Sequence, residues 1–331
     1  MSNILFIIPN YSTQITGASK RAKYLSKLFS IKYKVFILTS SMIITLKNGK
    51  VLSKKKRTIF DIIFLFFNHK FDYWFCDYIK WSFIPIRGLI FTLHDMKEWT
   101  EYGRIGTLKK ILIFFITRKA KYLITVSEDQ RRIIRDKLKI NSHVFHNAVS
   151  KKWLANYLKK KKINNKNKDE YIIYVSNFTK NKNHLNMIKN NPLFKRYKMV
   201  FVGSHIDKHG IKIRKNLLKY DNVKIYSKIS ETRLMDLIHN SSFVIFPSNY
   251  EGFGMPILET ITLQKKILIS NSLKLQHFKN NPLVRKVDFK KGVKKKDIIW
   301  AKSSRKNSVK SYSCFVSWED TCNKMIKFLN N

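Results

Sequence analysis

Acidic residues are what this sequence lacks most: 21 Asp and Glu stand against 66 Lys and Arg, a formal net charge of +45. Heavy use of Lys, Asn, Ile, Phe and Tyr fits AT-rich coding. Asp and Glu codons make no demand for GC, however, so coding bias does not explain their shortage. A charge of this size implies an anionic partner, whether nucleic acid, an anionic membrane or a phosphorylated substrate. Composition alone does not choose among them. Cysteine is also scarce. Cys76, Cys314 and Cys322 stand far from any C-x-x-C spacing, which gives neither a disulfide framework nor a zinc site and fits small buried residues in a reducing cytosol.

Further absences narrow the field. No apolar run reaches the roughly 18 residues of a spanning helix. Ile4–Ile8 follows Met1 to Asn3 without a basic n-region, so no signal peptide is expected. There is no G-x-x-x-x-G-K-[ST] loop, no G-x-G-x-x-G after the first apolar run, no H-E-x-x-H and no nucleophile elbow. The nine histidines do not cluster at ligand spacing, and no metal site is expected. RNP1, helix-turn-helix and zinc-finger patterns are missing too, and the basic residues are spread through both halves. A nucleic-acid-binding protein is therefore the weaker alternative, and no nucleic-acid partner is expected.

What is present is enough apolar sequence for two cores: 331 residues, 44% of them hydrophobic, with a length prior of about two domains. Short apolar runs alternate with longer helix-like segments, the pattern of parallel α/β units. Strands are expected at Ile4–Ile8, Lys34–Thr39, Tyr73–Cys76, Leu89–Leu93, Tyr122–Val126 and His143–Phe145, with a first helix from about Gly17 to Phe29. Residues 159–169, KKKKINNKNKD, are nearly devoid of apolar side chains and read as a linker. Beyond it the alternation restarts at Tyr171–Val175, Met199–Gly203, Val223–Tyr226, Phe243–Phe246 and Ile267–Ser270. Residues 286–310 are basic, weakly periodic and expected to be loop-rich, and a closing helix is expected from about Ser317 to Leu329. The expected architecture is α/β, with Rossmann-like domains over residues 1–160 and 168–310 and a C-terminal helix within 311–331. In such sheets ligands bind at the carboxyl ends of the strands.

The stretch richest in chemistry is FVIFPSNYEGFGMPILET, Phe243 to Thr260. An apolar strand ends in Pro247-Ser248, and a loop with Gly252 and Gly254 then feeds a helix with Pro256 in its first turn. Proline suits that position because its missing amide would have no intrahelical partner. Glycines let backbone amides approach a ligand, and a helix start offers free N–H groups and a positive dipole end. Glu251 precedes the loop and Glu259 follows it eight residues later. This describes a site for a ligand carrying hydroxyls and phosphates. Glycines and glutamates alone also describe a plain strand–turn–helix connection.

Glu251-Gly-Phe-Gly-Met-Pro-Ile-Leu-Glu259 resembles the E-x7-E signature of glycosyltransferase family 4, in its EGFGxPxxE form. The context agrees over nearly the whole chain. Val175 to His184 resembles the family's first C-domain strand and loop, and Met199–Gly203 its second strand. Asn222-Val223, with Glu231 to Leu237, resembles the segment that follows. Gly17-Ala18, Leu93-His94-Asp95, Thr125 to Glu128 and His146 to Val149 fall at the expected places in the first half, and Ser317-Trp318-Glu319 resembles the closing helix.

The resemblance implies a GT-B fold, two facing Rossmann-like domains with a cleft between them, and a retaining glycosyltransferase. A nucleotide-sugar would be its donor and substrate, with no separate cofactor. The acceptor would be a glycan or lipid-linked, in bacterial surface polysaccharide or lipopolysaccharide assembly. Glu259 would accept hydrogen bonds from the donor ribose, and Glu251 would fix hydroxyls of the transferred sugar, assisted by loop amides at Phe253, Gly254 and Met255. Lys182 would neutralise the departing diphosphate, His94 would face the transferred sugar, and Gly17 would bring backbone near the phosphates. Ser127 and Asn147 are weaker candidates. The family usually pairs its lysine with an arginine near the position of Asn177, so half of the phosphate clamp is missing here. Lys180 is a possible substitute, and an inactive scaffold is the corresponding alternative. No Asp-x-Asp occurs, so a metal-bridged diphosphate is not expected. Residues 104–121, RIGTLKKILIFFITRKAK, read either as a core helix or as an interfacial segment on an anionic membrane. The latter would place the protein peripherally on the cytoplasmic face of the inner membrane.

Overall fold

The computed structural model describes residues 3–9, 11, 17–56, 58–77, 87–99, 106–151, 153, 155, 170–204, 208–303 and 316–331. The linker at 159–169 and Cys314 lie outside them. The chain forms two compact units, one made of Met1–Asn147 with Val316–Asn331, the other of Ala148–Phe315.

The first unit is built on an eight-stranded sheet. Its strands are β1 (Asn3–Ile7), β2 (Lys34–Leu38), β3 (Met42–Lys47), β4 (Lys50–Lys56), β5 (Tyr73–Cys76), β6 (Leu89–Leu93), β7 (Tyr122–Thr125) and β8 (His143–Val144). They lie in the order β4-β3-β2-β1-β5-β6-β7-β8. All pairings are parallel except β2–β3 and β3–β4. The sequence reading did not include the β3–β4 hairpin, although its signal was present. Asn48 and Gly49 both take positive φ, 50° and 73°, as a two-residue turn between twisted strands requires.

Helices cover both faces of this sheet, because parallel strands must be buried on both sides. Phe6, Phe75 and Phe29 interlock on one face, where Phe6 and Phe75 stack at 4.5 Å and Phe29 meets Phe75 edge-on at 5.1 Å. Phe29 belongs to α1 (Gly17–Phe29). The opposite face carries Leu5, Ile7, Phe36, Trp74, Cys76, Phe91 and Leu123. It packs under α2 (Ile59–Asn68), α3 (Thr107–Lys119) and α4 (Glu128–Leu138) through Leu65, Ile113, Ile116 and Ile134.

The second unit holds six strands, β9 (Tyr171–Val175), β10 (Lys198–Val202), β11 (Val223–Tyr226), β12 (Phe243–Phe246), β13 (Ile267–Ser270) and β14 (Val284–Val287). All pairings are parallel, in the order β11-β10-β9-β12-β13-β14. Among its described helices are α5 (His184–Lys189), α6 (Lys208–Leu217), α7 (Glu231–Asn240), α8 (Met255–Thr262) and α9 (Lys295–Lys302). The loop-rich reading of residues 286–310 is corrected over its described part. There β14 forms the sheet edge, and α9 buries Ile298 and Ala301. Only two buried apolar residues in eight leave α9 little periodicity for a sequence reading to find.

The closing helix, α10 (Trp318–Asn330), starts at a capping box in which Ser317 accepts from the Asp320 amide and Asp320 accepts from the Ser317 amide. It joins the first unit, where the Tyr73 hydroxyl donates to the Leu329 carbonyl at 2.9 Å and that of Thr321 to the His146 carbonyl at 3.2 Å. Arg21 on α1 fastens the same region from within. Its guanidinium is buried and donates to the carbonyls of Phe145 and His146 and to Asn147 Oδ1 at 2.9, 3.4 and 3.0 Å. Desolvation lowers its pKa to about 10, opposed by the Asp77 carboxylate. Arg21→Ala should therefore destabilise the first unit by about 3 kcal/mol or more, since it takes the donor from the Phe145 carbonyl and from the buried Asn147 Oδ1. Urea denaturation checks this, and a loss below about 1 kcal/mol would mean that those acceptors find other partners.

Candidate functional site

In each sheet the strand order reverses once, and at that point the loops leaving two neighbouring strands turn apart and open a crevice. In the second unit the reversal falls between β9 and β12. The loop after β9 carries Asn177, Lys180 and Lys182, and the loop after β12 carries Glu251, Phe253 and Gly254. Side chains from the two loops meet there, with the Lys182 ammonium donating to Glu251 Oε1 as an ion pair.

Three features hold that pair in place. Asn181 is buried and joins the loops: its carbonyl accepts from the Asn249 amide at 2.9 Å, and its Nδ2 donates to the Tyr250 carbonyl at 3.3 Å. Lys182 ends a short 3-10 turn whose carbonyl accepts from the buried Tyr174 hydroxyl at 2.7 Å. Burial, and then the Glu251 charge, push that phenol well above its usual pKa. On the other side, His277 Nε2 meets the Phe253 carbonyl at 2.9 Å, and the two rings stack at 4.7 Å. The sequence reading did not single out Asn181, Tyr174 or His277. An asparagine in a loop or a histidine in a 3-10 turn has no local pattern that marks what it touches.

Gly254 is the N-cap of α8 and takes φ 84°, a left-handed conformation that glycine adopts without strain. A Cβ there would lie 3.0 Å from Leu275 Cδ1. Met255 opens the helix, Pro256 sits in its first turn, and Glu259 is buried one turn further on. Next to these loops, at the carboxyl ends of β13 and β14, lies a pocket of about 330 Å³. It is lined by Asn183, Asn249, Ser270, Asn271, Ser272 and Asp288, among others. Amides, hydroxyls and one carboxylate suit a ligand rich in hydroxyl groups. The loops after β9 and β12 thus carry Lys182, Glu251, Phe253 and Gly254, and α8, fed by the second of them, carries Met255 and Glu259.

Asn177 and Lys180 stand apart. Asn177 Oδ1 accepts from the Ser204 amide at 3.2 Å, which gives it a loop-closing task, and Lys180 is exposed on the same turn as Lys182.

In the first unit the order reverses between β1 and β5. Asp77 leaves β5 there, and its Oδ2 lies 2.9 Å from Nε2 of His94, which follows β6. This partner fixes one ring nitrogen and so sets the ring's orientation. Gly17 is the exposed first residue of α1, and the loop residues before it lie outside those described. Ser127 caps α4 by accepting from the Gln130 amide, and Asn147 accepts from Arg21. Both side chains have structural partners. Among the described residues, no group of three His, Cys, Asp or Glu could hold a metal ion.

Residues 156–278 match the family model described as Glycosyl transferases group 1. The fold is GT-B. Sucrose-phosphate synthase from Thermosynechococcus elongatus superposes with a TM-score of 0.70 at 13% identity, over 100% of this chain and 95% of that one. WaaG, a glycosyltransferase involved in lipopolysaccharide biosynthesis, superposes with a TM-score of 0.60 at 12% identity, over 99% and 90%. By sequence, the O-antigen chain mannosyltransferase RfbU of Salmonella typhimurium is 23% identical over 200 residues, 57% of this chain. The match spans about half of that relative's length, 54%. Residues 156–278, matched by the family model, contain the loop after β9, all of β12 and α8, and therefore the Lys182–Glu251 pair of this GT-B chain.

Beneath the pair, His184 is buried among Tyr174, Phe178 and Phe201, with Nε2 3.0 Å from Ser176 Oγ. Desolvation first, and the Lys182 charge second, lower its pKa from 6.5 to about 3. Between those values the unfolded chain binds a proton that the folded chain does not, so stability falls as pH drops through that window. Thermal melts of wild type and His184→Phe from pH 7 to 4 should show a shallower acid loss in the variant. Equal slopes would remove His184 from the acid response.

Proposed function

We propose that this protein is a retaining, metal-independent glycosyltransferase of family 4 that uses a nucleotide-sugar donor and a glycan or lipid-linked acceptor. The observation that carries the reading is the Lys182–Glu251 pair at the strand-order reversal, beside a glycine-started helix with Glu259 buried in it. Similarity to RfbU and WaaG supports a place in bacterial surface polysaccharide or lipopolysaccharide assembly. The protein would then work peripherally, on the cytoplasmic face of the inner membrane.

Each residue then has a task. Glu259 accepts hydrogen bonds from the ribose hydroxyls. Glu251 accepts from hydroxyls of the transferred sugar, with the backbone at Phe253, Gly254 and Met255 lying along the same ligand. Lys182 is already positioned by Glu251, so its charge costs little reorganisation when the diphosphate departs. His94, held by Asp77, is the first unit's candidate contact to the sugar. The acceptor oxygen bonds to the anomeric carbon on the face from which the diphosphate leaves, as the bond from that carbon to the diphosphate oxygen breaks. The acceptor's proton passes to the departing diphosphate. No protein base is required, and Lys182 with the α8 N-terminus supplies the positive potential that a metal would otherwise provide.

Nucleotide sugars that raise the melting temperature identify the donor. Transfer with that donor should persist in EDTA and give a product that NMR shows to retain the donor's anomeric configuration. An inverted product would overturn retention and promote His94 to general base, and activity lost in EDTA but restored by Mg²⁺ or Mn²⁺ would overturn metal independence.

The two lysines on the 3-10 turn separate by kinetics. Lys182→Ala should reduce kcat by about 100-fold or more while raising the donor KM less, because its charge matters most as the bond breaks. Lys180→Ala should change kcat little. The reverse ranking would assign the phosphate contact to Lys180.

A further inference from the structure

The first unit carries an apolar surface that the transfer reaction does not use. On α2, Ile59, Phe60, Ile63, Phe64 and Phe67 are exposed, Phe60 by 77% and Phe67 by 85%. They follow helical spacing, so they form one outward stripe, while Leu65 packs into the core with Ile62 and Phe66 partly buried beside it. Nothing local demands three exposed phenylalanines on a ten-residue helix. The Thr58–Asp61 capping box alone would start α2. The next helix of the same layer repeats the arrangement. On α3, Ile113 and Ile116 face the core, and Leu108, Ile111, Phe114 and Phe115 are exposed. Both helices pack on one sheet face through the same core, and each turns a stripe of apolar residues away from it, more than scattered surface apolar residues would give.

Positive charge predominates around these stripes. Lys54, Lys55 and Lys56 are exposed where β4 runs toward α2, and α3 carries Lys109 and Lys110 near its start and Arg118 and Lys119 at its end. Arg118 lies over the Phe114 ring, 3.3 Å from its centroid. The described acid on α2 is Asp61, and Thr58 and Lys55 already engage it. No residue of α3 is acidic. A second copy of this chain would bring the same positive rim against itself and is disfavoured.

We propose that α2 and α3 form a membrane-insertion face. The phenylalanine and isoleucine stripe of α2 enters the acyl boundary of an anionic bilayer, and the flanking lysines and arginines contact lipid phosphates. The inference rests on the peripheral reading above and deepens it by naming the inserted element, adding α2 to the segment at 104–121. It also changes the character of the attachment, since an apolar stripe resists salt where a purely electrostatic contact does not.

The test uses the full chain and phosphatidylcholine vesicles with or without about 30% phosphatidylglycerol, with no donor or acceptor. Loss of transfer activity therefore leaves the inference untouched, and failed vesicle binding leaves the transfer chemistry untouched. Wild type should cosediment with anionic vesicles and keep part of that binding at about 0.5 M NaCl. The variant Phe60→Ser/Phe64→Ser/Phe67→Ser should bind about tenfold or more weakly and lose the salt-resistant part. All three side chains are exposed, so an unchanged melting temperature is expected and shows that the variant folds. A separate Phe67→Trp substitution should give emission quenched by brominated lipid chains once vesicles are added, although Trp residues elsewhere set a background measured on wild type. Equal binding by wild type and the triple variant at every salt concentration, or no quenching beyond that background, would overturn insertion. A wild-type dimer in solution that the triple variant abolishes would assign the face to a second copy instead.

Discussion

A parallel sheet buries both of its faces, and its strand order must reverse somewhere if helices are to cover both sides. That constraint organises this protein twice. Helices pack on the faces of each sheet, while at the carboxyl edge at the reversal the neighbouring loops diverge. Chain atoms at that edge are free of the packing that fixes the strands, and charged side chains can gather there without being buried in a core. The Lys182–Glu251 pair bridges the reversal in the second unit, and His94 with Asp77 stands at the one in the first.

The pair depends on support from within its own loops and from beyond them. Asn181 joins the turn after β9 to the loop after β12, Tyr174 holds the Lys182 carbonyl from the sheet below, and His277 holds the Phe253 carbonyl from beyond α8. Asn181 and Tyr174 are neutral groups, so they position a cation and a carboxylate without competing for their charge. The buried His184 continues the theme. A protonated imidazole next to Lys182 would add a second cation beneath the site, and burial keeps that ring neutral instead.

The positive charge of the chain has two outlets. In the second unit a lysine faces a glutamate at the edge where a diphosphate would sit. In the first, lysines and an arginine border an apolar face that the core does not need. A formal excess of this size repels other copies of the same chain and attracts anions, so the same composition suits both the phosphate-bearing ligand and the phosphate-bearing surface proposed above.

The sequence by itself determined the α/β alternation, because runs buried on both faces read as continuous apolar segments. It determined the loop from Glu251 to Glu259, because two glycines and a first-turn proline impose a backbone that few residues allow. It also determined the closing helix, whose Ser317–Asp320 box is entirely local. The Asn48-Gly49 hairpin was equally legible and was passed over, since the lysine-rich β4 has no buried face. Tertiary structure alone decided the rest. β14 and α9 gain their identity from the sheet edge they cover, and Asn181, Tyr174, His277 and Asp77 gain their tasks from partners distant in sequence. The two faces of α2 were also beyond the sequence, because a helix apolar all round does not say which of its residues meet the core. Only the packing of Leu65 onto the sheet turned Phe60, Phe64 and Phe67 outward.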